Sequence, residues 1–398
     1  MPFYVSGTGS VTPVAISPRS VQVFLNTGAT GYAKLEGRKW ADLEKFRTNA
    51  GGVIEGALLE QLKNDNRSSG SEFSELQRCE SFAFHACRQA FTADHGFDPA
   101  RVGLVLGTNF GNASAISPMF AASAKGEPFA DLLETYSFGG ITKRLALALG
   151  IEGPIATLSL SCASGVAVIA QAERMFAIYD IDAVLACSVD EMSVYVFSGL
   201  HSLRAMSPEN VVKPWDVNRK GTVFSEGAAA LLLTRENRGS RIAVKATYQN
   251  NDGFHLSAPD TSAHGITTLI AKTLEIADLE PRDICFVNLH GTATVYNDRI
   301  ETAAIRNVFG DWGFKVPMTS NKGALGHLMG AAGLVETISA IETLQDGVLP
   351  PTANLEDRDP DILMNVVTES TPIEGVFALK NSFGIGGANA CVILERLQ

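Results

Sequence analysis

The chain has 398 residues, too many for one ordinary core and enough for two domains or two fused halves. A net charge of −11 argues against a nucleic-acid binder, which carries a basic surplus, while 45% hydrophobic residues and 37 glycines fit a soluble globular enzyme with many tight turns. The six cysteines form neither a CxxC pair nor a zinc-spaced cluster, so neither a disulfide framework nor a metal site is indicated. The first residues, Met1-Pro-Phe-Tyr-Val-Ser-Gly, lack the pattern of a signal peptide, and no segment approaches the length of a membrane span. The default reading is cytoplasmic.

Residues 3–12 read as a first strand that runs into a turn at Gly7 and Gly9. As a nucleotide fingerprint this is weak, because Pro13 follows and the helix such a site needs is absent. Helical periodicity covers residues 40–63, residues 64–71 read as a polar loop, and a long helix spans Ser74 to Phe91. Residues 101–107 form a buried strand, and the aperiodic stretch 108–128 reads as a loop or lid. A helix follows over 130–149 and stops at Gly150.

The stretch from Thr157 to Glu173 organises the first half. Leu158 and Leu160 alternate with small polar residues, as in a strand. Ala163, Ser164 and Gly165 then allow a sharp turn into an apolar helix. This places Cys162 at a helix N-terminus, where unpaired N–H groups and the helix dipole favour negative charge. A depressed pKa and a nucleophilic role are expected there. The alternative is a buried structural thiol.

Residues 183–189 and 224–234 read as buried strands separated by a loop-rich segment, and 235–241 as a junction. The second half then repeats the first in outline. Its strand at Phe286, its strand, small turn and helix from Met318 to Leu344, and its glycine turn and strand from Phe383 to Leu394 echo earlier units. Two similar α/β halves follow, 1–240 and 241–398.

Three polar stretches lie in the second half: His290 to Asp298, Lys322 to His327 ahead of a helix with Glu336, and the Gly384–Gly387 loop. A nucleophile that forms a thioester needs imidazoles to handle or donate protons and two N–H donors for the oxyanion. Cys162, His290 and His327 supply the first set; the N–H groups of Cys162 and of the glycine loop supply the second.

In this order, Ser161-Cys-Ala-Ser-Gly165, Lys213-Pro-Trp-Asp to Gly227, His290-Gly-Thr-Ala-Thr294, Lys322-Gly-Ala-Leu-Gly-His327 and Asn381-Ser-Phe-Gly-Ile-Gly-Gly-Ala-Asn389 resemble the elongating β-ketoacyl-acyl-carrier-protein synthases of the thiolase-like superfamily. The resemblance runs from the first strand to the last. It implies a five-layered α/β/α/β/α fold of two pseudo-repeated halves, in a homodimer or in a heterodimer with a related subunit. It also implies a decarboxylating Claisen condensation in fatty-acid or type II polyketide or aryl-polyene synthesis. Cys162 would hold the acyl chain, and His290 and His327 would stabilise the enolate of a malonyl group on acyl carrier protein. Lys322 would be held by Glu336 and Asp298. Thr292 and Thr294 would bind the phosphopantetheine arm, Phe383, Ile385 and Asp298 would complete the substrate site, and Cys162 and Ile385 N–H groups would form the oxyanion hole. No metal or diffusible cofactor is implied.

The pattern departs from that family at Ile385, where a gating Phe is usual, at Ala388 for Thr, and at Trp215 and Ser225. A basic carrier-docking patch is expected among Arg204, Lys213, Arg219 and Lys220, while the acidic neighbours of Arg78 (Glu72, Glu75 and Glu80) disfavour a docking face there. Two other functions compete: a non-catalytic partner subunit that sets chain length, and a cysteine hydrolase using a Cys/His pair. The retained Cys162 and Lys322 weigh against the first, and the second His with the Lys–Glu pair against the second.

Overall fold

The computed structural model describes residues 2–35, 46–74, 77–92, 96–255 and 260–398. Among these, each half of the chain contributes five strands to the main sheet. They are β1 (Phe3–Val11), β2 (Val102–Gly107), β3 (Ile155–Leu158), β4 (Ala183–Asp190) and β5 (Gly227–Thr234), then β6 (Ile242–Asn251), β7 (Ile284–Asn288), β8 (Met318–Thr319), β9 (Phe377–Phe383) and β10 (Ala388–Arg396). The first set pairs in the order β3-β2-β4-β5-β1 and the second in the order β8-β7-β9-β10-β6. Directions repeat as well: β3, β2 and β4 are parallel, as are β8, β7 and β9, and the remaining pairings are antiparallel. The halves meet edge to edge through only Phe3↔Val244 and Tyr4↔Ala243.

Strands β2, β4 and β5 are buried at every position, which explains why Val, Leu, Ala and Gly dominate them. Six helices matter for the site: α1 (Arg78–Ala90), α2 (Phe138–Leu149), α3 (Ser164–Ile178), α4 (His264–Ala277), α5 (Val295–Phe309) and α6 (Ala332–Asp346). α1 and α2 cover the outer face of the first sheet, and α4, backed by α5, covers the second. α3 and α6 pack against each other and against strands of both halves. The result is the expected thiolase-like α/β/α/β/α sandwich with its two pseudo-repeated halves.

The central layer depends on a close backbone approach. A Cβ on Gly165 would lie 2.4 Å from Leu334 N and 2.9 Å from Gly330 O, so only glycine lets α3 seat against the start of α6.

Several local expectations are corrected. Gly7 and Gly9 lie inside β1 rather than in a turn, because α1 crosses them: a Cβ at either would sit about 2 Å from the carbonyl oxygen of Ala90 or Ala86. The helix expected over 40–63 is Gly56–Ser68 instead, after Gly52 N–H pairs with Phe224 O and diverts the chain; residues 36–45 lie outside the described residues. That helix runs into the supposed polar loop because buried Asn66 donates to the carbonyl and hydroxyl of Ser81 on α1. The loop or lid at 108–128 contains a helix, Ile116–Lys125, closed by left-handed Gly126. Over 130–149 there are two helices, Ala130–Tyr136 and α2, and the latter stops at left-handed Gly150.

Gly165→Ala should therefore lower stability by ~2 kcal/mol in urea unfolding. Gly139→Ala, on α2 with open space around its Cβ, should leave stability unchanged or slightly raised.

Candidate active site

Cys162 sits where β3 gives way to α3. The turn is forced at Ser161, whose φ of 50° is left-handed for a residue with a side chain. Ser164 holds it closed: its hydroxyl accepts from Leu160 N–H at 2.9 Å and donates to Ser161 O at 2.7 Å. The helix starts at Ser164, so the thiol stands just ahead of it. The backbone N–H groups of Cys162 and Ile385 lie near enough to the sulfur to favour its thiolate. The expected depressed pKa does not follow, because burial pushes the thiol up to about 12. The Lys322 charge and the two N–H groups act in the opposite direction, and the resting group is a thiol.

The two histidines come from the other half. His290 follows β7, and its loop is held by Glu301 on α5, which accepts His290 N–H at 2.8 Å and Gly291 N–H at 3.0 Å. His290 and His327 meet edge to face with ring centres 5.5 Å apart. His327 Nδ1 accepts Met329 N–H at 3.1 Å, so the proton of the neutral ring is on Nε2. His290 Nδ1 lies 3.4 Å from Lys322 Nζ, a group that only donates, which assigns the same tautomer. Burial first, and then the Lys322 charge, pushes both imidazoles well below the ordinary histidine range.

Behind the imidazoles lies a buried charge cluster. Lys322 Nζ donates to Glu336 Oε1 at 2.5 Å and to His290 O at 2.6 Å. The other oxygen of Glu336 lies 2.7 Å from Lys380 Nζ, an ionic contact rather than a directed hydrogen bond.

Asp298 is not part of this cluster, contrary to the expectation that it helps hold Lys322 or binds substrate. Its carboxylate faces the opposite way on α5, accepting Trp215 N–H and Ala293 N–H, each at 3.1 Å, with Arg219 Nε 3.8 Å away. It pins the 213–219 segment to the threonine loop. Burial pushes it up to about 7 against those donors.

A cavity of about 820 Å³ gathers Cys162, His290, His327, Thr292, Thr294, Phe383 and Ile385 on one wall or another. The two threonine hydroxyls are 3.0 Å apart, and Thr294 also caps α5 by accepting Asn297 N–H. Phe383 is buried against the His290 ring, whereas Ile385 is 40% exposed on the glycine loop between β9 and β10. Trp215 donates its indole N–H to Thr302 at 2.9 Å, and Ser225 donates to Leu325 O at 2.7 Å, so both unusual residues are satisfied within the fold.

Of the expected basic patch, Arg204, Arg219 and Lys220 line the cavity, and most of its charges are paired with carboxylates. Arg219 is buried, 2.6 Å from Asp359 Oδ2; Lys213 pairs with Glu356 and Lys220 with Glu209. Arg204 stands exposed at the cavity mouth. Arg78 pairs with buried Glu226, which settles its role as structural.

Two residues of the site escape the sequence reading. Glu301 sits one helical turn beyond Asp298, so its spacing gave a signal. Lys380 lies directly before Asn381-Ser-Phe on a buried strand, and nothing in the pattern marks it.

Fold and site together define a condensing acyltransferase of the thiolase-like class. Residues 2–238 match the model for the β-ketoacyl synthase N-terminal domain and residues 242–356 that for the C-terminal domain. The chain belongs to the β-ketoacyl synthase family. It is similar to 3-oxoacyl-[acyl-carrier-protein] synthase 2 of Coxiella burnetii, at 30% identity over 79% of this chain and 81% of that protein. It is also similar to the Vibrio cholerae protein of the same name, at 27% identity over 99% and 98% of the two chains. Among solved structures, a ketosynthase in complex with its chain length factor from Xenorhabdus doucetiae superposes with a TM-score of 0.82 at 26% identity, covering 99% of this chain and 98% of that one. Among the described residues, no helix is long and apolar enough to cross a membrane.

Because the thiolate is the species that alkylates, the rate of Cys162 modification by iodoacetamide should climb roughly tenfold per pH unit from pH ~7 to ~10 without levelling. A plateau below pH ~8 would contradict the dominance of burial.

Proposed function

We propose that the chain is a catalytic ketosynthase that joins an acyl group on Cys162 to a malonyl unit carried on acyl carrier protein. The observation that carries this reading is the convergence of one buried thiol and two neutral, Nε2–H-bearing imidazoles on a single cavity. A hydrolase needs a base to activate water, and imidazoles held uncharged as donors beside a lysine favour stabilising an anion instead.

In the first step the Cys162 sulfur attacks the carrier thioester, and its proton leaves with the carrier thiol. The N–H groups of Cys162 and Ile385, both beside the sulfur, supply the donors for the oxyanion. In the second step a malonyl thioester loses CO₂. His290 and His327 donate to its carbonyl oxygen as enolate charge develops. The carbanion attacks the Cys162 thioester, the new carbon–carbon bond forms, and the sulfur leaves and recovers a proton. Loss of CO₂ drives the bond, so the chemistry asks for no metal and no diffusible cofactor. Thr292 and Thr294 line the approach that a phosphopantetheine arm would take, with Phe383 and Ile385 at the acyl side.

Residues 1–240 supply the nucleophile and 241–398 the donors. The partners are acyl carrier protein and a second ketosynthase-type subunit in a cytoplasmic assembly, a reading supported by the neighbour solved with its chain length factor. Exposed Ile155 on the edge strand β3 and Leu147 on α2, which packs against it, give that subunit an apolar face. A purely structural, chain-length-setting role is disfavoured because every reactive group is retained.

With acyl and malonyl carrier substrates, CO₂ and a β-ketoacyl product should appear together. Cys162→Ala should abolish acyl transfer, and His327→Ala should slow CO₂ release by roughly 10²–10³-fold. Free acid without a carbon–carbon bond would overturn condensation; activity appearing only with an added homologous subunit would assign a heterodimer. Ile385→Phe should narrow the range of acyl chains accepted, and an unchanged chain-length profile would remove Ile385 as the gate.

A further inference from the structure

The condensation site has one buried cation that the mechanism above does not use. Lys380, on β9, is fully buried. Its Nζ lies 2.7 Å from Glu336 Oε2, opposite the oxygen bound by Lys322, and it donates to Asn381 O and, at 3.4 Å, to Leu289 O beside His290. One carboxylate between two lysines cannot cancel both charges. Burial pushes Lys380 below the ordinary lysine range while Glu336 pulls it back up, so a lysine kept against the reactive wall is costly and needs a reason.

We propose that Lys380 is a positioning residue of this site: by occupying Oε2 of Glu336 it leaves the Lys322 ammonium directed at His290 and adds a second positive charge behind both imidazoles. The proposal rests on the condensing reading, in which those rings act as uncharged donors. Positive charge at that place penalises protonation of either ring, so Nε2–H donors persist into mildly acidic solution, and it favours an enolate on the far side of the rings.

The charged and titratable groups facing this cluster are Glu336 on α6, Lys322 before it, Glu301 on α5, Cys391 on β10, Cys162 and Asp190 on the first-half side, and the two histidines themselves. Of these, Glu336 counters Lys380 directly, and Glu301 also opposes it. Glu301 is already taken up by the N–H groups of His290 and Gly291, and the Lys322 charge adds to that of Lys380 at both rings.

The test is an imidazole ¹⁵N NMR titration of the whole protein without substrate, paired with CO₂ release from malonyl carrier protein. In the wild type both rings should titrate well below the ordinary histidine range; in Lys380→Met at least one should titrate about one pH unit higher than in the wild type, with the acid limb of CO₂ release moving by the same amount and KM unchanged. Lys380→Arg should retain the wild-type profile. If Lys380→Met does not fold, Lys380→Gln keeps a donor for Glu336 without the charge and should give the same shift. Titration of either ring within the ordinary histidine range in the wild type, or an unchanged titration in a folded neutral variant, would overturn the proposal. A wild-type protein that titrates as expected but releases no CO₂ would instead sink the condensing reading and leave the electrostatic role of Lys380 standing.

Discussion

At Gly165 the backbone of one central helix touches the backbone of the other, and every catalytic distance depends on that contact. Each half of the chain builds the same unit, a strand, a tight turn and a buried helix. The first unit delivers Cys162 at its turn. The second delivers Lys322 and His327 at its turn and Glu336 on its helix. Stacking the two helices without an intervening side chain brings the turns to one cavity, so a nucleophile from one half faces donors from the other. A single half holds only part of the machinery.

Desolvation then decides the charge state of what has been brought together. It raises the thiol and lowers both imidazoles, so nucleophile and donors rest uncharged. Fixed charge is gathered in the lysine and glutamate groups behind the rings, where Glu336 is shared between Lys322 and Lys380. Such a site holds its dipoles in place before the reaction and meets negative charge only when a substrate develops it. The helix dipole, the most visible feature around Cys162 in the sequence, is outweighed by the loss of water.

Much of this was legible from residues alone. Small residues after Cys162 betrayed the turn, and the recurrence of that pattern after Met318 betrayed the duplication. Reading failed where the outcome depends on which side of an element a residue faces. Asp298 and Glu301 lie within one turn of α5, yet the first secures Trp215 and only the second supports His290. Arg219 looked like surface charge because arginine usually is, and it is instead buried against Asp359. Gly7 and Gly9 signalled a turn but mark a crossing helix, since close approach and chain reversal ask for the same residue. Residues 116–125 escaped as a helix because Ser, Ala, Met and Phe there show no single apolar face, and Phe120 is in fact exposed.

The buried, protonated state of Cys162 also bears on survival. Peroxide and disulfide reagents attack thiolates, and an exposed low-pKa cysteine is steadily consumed by them. A sulfur kept as thiol inside a walled cavity presents almost no such target between turnovers. The same burial that slows its ionisation therefore protects it from oxidative loss.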